Sequence, residues 1–105
     1  MAVPVRPRPE VADDLAALED DELRLAAIQL LVELESHPYR GQPLRGNLGD
    51  CRKIYFDHDG AERPRFRVVY RLRPDETDPT EIDVICIGER ADLAAYELAR
   101  GRLGR

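Results

Sequence analysis

A chain of 105 residues, 43% apolar and 35% charged, with a mean hydropathy of −0.49, has the size and composition of one soluble domain (residues 1–105) with a modest core. No stretch approaches the roughly 18 apolar residues of a membrane span, and the first ten residues lack the apolar segment and cleavage site of a signal peptide. No membrane association and a cytoplasmic location are therefore expected, while the net charge of −5 argues at first sight against a nucleic-acid partner.

In chain order, Val3 to Arg6 reads as a short strand, with Pro4 acceptable only at a sheet edge. Pro9 and Glu10 suit a helix start, after which Val11, Leu15 and Leu18 share one helical face. The acidic run Glu19–Glu22 marks a break. A second helix follows, with Leu23, Ala27, Leu30, Leu31 and Leu34 as its apolar stripe, ended by Ser36-His37-Pro38. Residues 38–50 are rich in Gly, Pro and Asn and read as a loop.

Cys51 to Phe56 alternates, Ile54 and Phe56 to one side, Cys51, Lys53 and Tyr55 to the other. A polar turn containing Gly60 leads to a strand over Pro64–Arg73. Here Phe66, Val68, Tyr70 and Leu72 face the core, while Arg65, Arg67, Val69, Arg71 and Arg73 face away. A second polar turn, Asp75 to Thr80, precedes a buried strand over Ile82–Ile87, ended by Gly88. A final helix is predicted over Asp92–Leu103.

Short connections make the three later strands an antiparallel meander. The expected fold is α+β: an N-terminal helical hairpin packed on a twisted antiparallel sheet (the short N-terminal strand plus the meander), with a C-terminal helix. Ile54, Phe56, Phe66, Val68, Tyr70, Val84, Leu15, Leu31 and Leu34 should share its core.

Cys51 and Cys86 are too few for a disulfide framework and read as reduced packing residues. His37 and His58 show no ligand spacing, so neither a metal nor another cofactor is expected. The charge is unevenly spread. Residues 1–39 hold three basic and nine acidic side chains, residues 40–73 hold nine and four, and residues 74–105 hold four and eight. Local potential governs association with polyanions, so a phosphate belongs in the middle third. Arg45, Arg52, Tyr55, Arg65 and Arg71 are the candidate substrate-binding residues there.

Three segments at their spacings, L-R-G-N-L-G-D-C-R-K-I-Y, F-R-V-V-Y-R-L and I-G-E-R-A-D-L-A-A-Y, resemble the RelE/ParE toxin superfamily of bacterial toxin–antitoxin systems. The resemblance runs the length of the chain and is closest to the RelE branch, endoribonucleases that cut messenger RNA, commonly on the ribosome. It implies a cognate antitoxin as partner, a heterotetramer or larger complex with it, and messenger RNA and the ribosome as targets. By position it implies catalytic roles for Lys53, Arg67, Arg90 and Tyr96. Tyr55 departs from the pattern, since RelE-type enzymes often carry a second basic residue there.

These residues match a metal-free chemistry in which the RNA 2′-hydroxyl attacks the adjacent phosphate. That reaction needs a base, cations for charge building on phosphorus, and an acid for the leaving oxygen. Arg67 and Arg90 suit the phosphate, and Lys53 can stabilise the same charge. A free tyrosine titrates near 10, so Tyr96 serves as a base only if nearby cations favour its ionised form; alternatively its ring stacks on a nucleobase. Two other functions share the fold: a ParE-like toxin that inhibits DNA gyrase without cutting anything, and a degenerate toxin that only binds its antitoxin.

Overall fold

The computed structural model describes residues 2–105. Val5–Pro7 forms an edge strand, β1. Glu10–Ala16 forms α1, shorter than its apolar spacing predicts because the chain turns before Leu18, which is nonetheless buried. The acidic break is a cap: the Asp20 carboxylate accepts from the Leu23 N–H at 2.9 Å and starts α2, Asp21–Ser36. The predicted stripe of α2, Leu23, Ala27, Leu30, Leu31 and Leu34, is buried throughout.

The remaining elements are β2 (Gln42–Pro43), β3 (Cys51–Phe56), β4 (Phe66–Arg73), β5 (Glu81–Glu89) and α3 (Ala94–Leu103). They form a five-stranded sheet in the order β1-β5-β4-β3-β2. The β3–β4–β5 meander is antiparallel as expected, whereas β1 joins β5 in parallel, which makes the sheet mixed. Two residues of the predicted loop, Gln42 and Pro43, add an edge strand opposite Lys53 and Arg52; an edge tolerates the missing proline donor.

The helical hairpin and one sheet face enclose the main core. It holds Leu31, Leu34, Phe56, Phe66, Val68, Tyr70 and Val84 of the expected set, with Leu15 and Ile54 partly buried against it. The opposite face is not left open along its whole length. α3 packs there over Cys51, Val69, Ile85 and Cys86 through Ala95 and Ala99, a second core absent from the sequence expectation. The cause lies in β5. Val69 pairs with Cys86 and Tyr70 with Val84, so Ile85 is an extra residue, and this bulge turns both Ile85 and Cys86 toward α3. Cys51 and Cys86 are buried free thiols, and burial pushes each up to about 12.

Tyr70 ties the 38–41 loop to the sheet. Its hydroxyl donates to the Pro38 carbonyl and accepts from the Gly41 N–H, both at 2.8 Å. A Cβ on Gly41 would lie 2.6 Å from that oxygen and 3.0 Å from the Lys53 carbonyl, so glycine is required by close approach. This contact sets the path of β2 beside β3.

Two substitutions test the packing. Leu34→Ala, at a fully buried position, is expected to cost about 2–5 kcal/mol by urea unfolding. Gly41→Ala is expected to destabilise by about 1–3 kcal/mol, the usual cost of overpacking, read in the same titration.

Candidate functional site

Strand alternation puts Lys53 and Tyr55 of β3 on the α3 side of the sheet, and the ladder sets Tyr55 directly opposite Arg67 of β4. Arg90 follows β5, and its N–H donates to the Arg65 carbonyl at 2.7 Å, which fixes it to the start of β4. Tyr96 lies in the first turn of α3. A 3-10 turn over Ala91–Leu93 with Leu93 at φ 60° reverses the chain so that this helix returns over the sheet.

These four elements bring the predicted catalytic residues together around Tyr55. Lys53 Nζ donates to the Tyr55 hydroxyl at 2.7 Å and lies 4.9 Å from its ring centre. The Arg67 and Arg90 guanidinium carbons lie 5.2 and 4.8 Å from the same centre. Arg67 also stacks on Tyr96 at 4.1 Å. It is 3% exposed, its Nε and Nη1 have no hydrogen-bond partner, and its Nη2 reaches the Arg90 carbonyl at 3.5 Å. Arg90, by contrast, is exposed to solvent.

The electrostatics follow from this geometry. The hydrogen bond to Tyr55 raises the Lys53 ammonium above its ordinary value, and the Tyr96 hydroxyl adds to the effect. The same hydrogen bond lowers the Tyr55 phenol, helped by the charges of Lys53, Arg67 and Arg90. A cleft of about 320 Å³ opens beside this group, with Leu44, Arg45, Lys53, Tyr96 and Arg100 in its wall. Among the described residues, no group of three or more His, Cys, Asp or Glu side chains is placed to hold a metal ion.

The substrate-binding candidates divide. Tyr55 and Arg45 sit at the site. Arg52 does not: strand parity sends it to the opposite face, where it grips Glu76 through two nitrogens and donates to the Tyr39 and Gly41 carbonyls. Arg65 is held by Asp57 and Glu19, and its hydrogen bonding keeps the Asp57 carboxyl well below the usual carboxylate range. Arg71 keeps to the site's face but lies further along β4, paired with Asp83 at 2.9 Å and near Asp50 at 3.6 Å. Of the nine basic side chains of the middle third, four (Arg40, Arg52, Arg65 and Arg71) are thus paired with carboxylates. Among the described residues Lys53, Arg67 and Arg90 make no ion pair. Arg100 is the addition that sequence reasoning missed, though its i+4 spacing from Tyr96 carries the signal.

The sequence matches no model of a known protein family and no curated protein. Solved structures do resemble it. An arginine-to-alanine double mutant of the E. coli toxin RelE in the free state superposes with a TM-score of 0.73 at 24% identity, over 98% of this chain and 99% of that one. The RelBE2 toxin–antitoxin complex of Mycobacterium tuberculosis gives 0.65 at 23% identity, over 86% and 100%. The RelE mutant bound to a RelBc antitoxin peptide gives 0.63 at 26%, over 94% and 95%. The class of fold is α+β with the RelE arrangement of helices around one sheet. The resemblance to the RelE/ParE superfamily read in the sequence is therefore present in the architecture as well.

The Lys53–Tyr55 contact has a spectroscopic consequence. In an alkaline titration followed by tyrosinate absorbance, one phenol should ionise below the ordinary value near 10. That component should vanish in Tyr55→Phe and move upward in Lys53→Met. A wild-type curve with no tyrosine below the ordinary value would contradict the arrangement.

Proposed function

We propose that this chain is the toxin of a toxin–antitoxin pair, acting in the cytoplasm as a metal-independent endoribonuclease on messenger RNA held by the ribosome. One observation carries the reading. Of the basic residues in and around the middle third, the three that converge on one half-buried phenol are cations without a carboxylate partner among the described residues. A preorganised positive cluster beside a cleft matches a phosphodiester whose transition state gathers negative charge on phosphorus. In this reading Arg90 binds a phosphate oxygen, Arg67 supplies charge from beneath, and Lys53 and Tyr96 supply proton transfer or charge stabilisation.

The antitoxin has a surface suited to it. Leu25, Ile28 and Val32, 55%, 46% and 60% exposed, form an apolar stripe on the outer face of α2 at spacings of three and four. Two of the similar structures are toxin–antitoxin complexes, which supports a cognate antitoxin lying across the helical hairpin.

Primer extension on messenger RNA after induced expression, and on translating ribosomes supplied with purified protein, tests the function. Cleavage is expected with the wild-type chain. Arg90→Ala, at a solvent-exposed position, should lower it about 10²–10³-fold while leaving the fold intact by circular dichroism. Intact RNA with folded wild-type protein would overturn the nuclease reading, and inhibition of gyrase supercoiling in the same preparation would replace it with the gyrase-binding one.

A further inference from the structure

Resting on that nuclease reading, we infer that Tyr55 takes the proton of the attacking 2′-hydroxyl, with Tyr96 protonating the leaving oxygen and Lys53 returning the proton between them. A phenol acts as a base only where its ionised form is favoured, and cations packed around it do this. Tyr55 has the fuller shell of cations of the two tyrosines. Tyr55 receives the Lys53 hydrogen bond at 2.7 Å and has Arg67 and Arg90 within 5.2 and 4.8 Å of its ring centre. Tyr96 has two of these cations, Arg67 stacked on its ring and Lys53 at its hydroxyl, and lacks Arg90.

The groups that face Tyr55 are Lys53 from its own strand, Arg67 from β4 and Arg90 from the end of β5; Tyr96 of α3 shares Arg67 and Lys53 with it. The charges acting on the Tyr55 phenol are therefore those of Lys53, Arg67 and Arg90, and its lowered titration agrees with the geometry. Lys53 is the one side chain whose ammonium is stabilised by both hydroxyls. It links the two tyrosines.

The step balances without a co-reactant. The Tyr55 phenolate accepts the 2′-hydroxyl proton as the 2′-oxygen bonds to phosphorus. The bond from phosphorus to the 5′-oxygen breaks, and that oxygen takes the Tyr96 proton. The products are a 2′,3′-cyclic phosphate and a 5′-hydroxyl end. Lys53 then donates a proton to the Tyr96 phenolate and recovers one from the Tyr55 hydroxyl, which restores all three groups to their starting forms.

The test compares Tyr55→Phe and Tyr96→Phe on a ribosome-bound message and on the same message with sulfur replacing the 5′-oxygen at the cut site. A thiolate leaves without needing a proton. Both variants are expected to cut the ordinary message about 10²–10⁴-fold more slowly than wild type. Only Tyr96→Phe should regain wild-type rate on the sulfur substrate. In wild type, the rate should rise with pH through the titration of Tyr55, and 3-fluorotyrosine at position 55 should move that rise to lower pH without truncating any side chain. Wild-type cleavage by Tyr55→Phe, rescue of Tyr55→Phe by sulfur, or an unmoved pH profile with fluorotyrosine would each overturn the assignment while the nuclease reading stands. A wild-type protein that cuts nothing overturns both.

Discussion

A buried guanidinium without a carboxylate is the constraint around which this molecule is arranged. Arg67 is 3% exposed, and two of its nitrogens have no acceptor. Removing a cation from water costs several kcal/mol even after relaxation. Its compensation here is the stack on Tyr96, the longer contact with Tyr55 and one weak hydrogen bond to the Arg90 carbonyl. Cation–π contacts contribute roughly 0.5–2 kcal/mol each, so they offset part of the cost rather than all of it. The shortfall is held by the rigid β3–β4–β5 ladder, in which Arg67 is the central strand's residue and cannot turn outward without breaking the register. An anion above the tyrosines would relieve it.

The other arginines show what the chain does with positive charge when it serves the fold. Arg102 grips Asp14 through two nitrogens and donates to the Ile85 carbonyl, which fastens α3 to α1 and β5. Arg8 bonds Asp83 and the Arg102 carbonyl, and Arg105 bonds Asp50. Each of these guanidinium groups has a carboxylate, and none lies in the tyrosine cluster. These paired cations serve the fold, whereas the three of the tyrosine cluster are left without a carboxylate among the described residues.

Much of this was legible in the sequence, and the reason is periodicity. The α2 stripe and the two faces of β4 are local patterns that burial enforces, so Leu23 through Leu34 and Phe66 through Leu72 fell where spacing placed them. Lys53, Tyr55 and Arg67 share a face for the same reason. Arg52 fails by that very rule, since it alternates with Lys53 and belongs to the other face; counting charge overrode parity. Arg65 and Arg71 could not be sorted from sequence, because the carboxylates that hold them, Asp57 and Glu19 for one and Asp83 for the other, are brought near by a hairpin turn, the break before α2 and the neighbouring strand. The bulge at Ile85 was illegible too. An unbroken apolar run carries no phase, so nothing in it announces that two consecutive residues, Ile85 and Cys86, turn to the same side.

That bulge reaches the site through α3. A helix can approach a sheet closely only where small residues meet, and here Ala95 and Ala99 lie over Ile85 and Cys86. Gly88 completes the fit: a Cβ there would stand 3.3 Å from Leu98 and 3.4 Å from Ala95. The ion pairs of Arg102 and Arg105 hold the far end of the helix, while the turn through Leu93 aims its near end. Tyr96 is one residue from Ala95, so the contact that seats the helix also sets the ring on Arg67 at 4.1 Å. The position of the C-terminal tyrosine is therefore decided by the second core rather than by the charge cluster it joins. A sheet face that looks from its polar residues like an open surface becomes a walled site because half of it is apolar and covered.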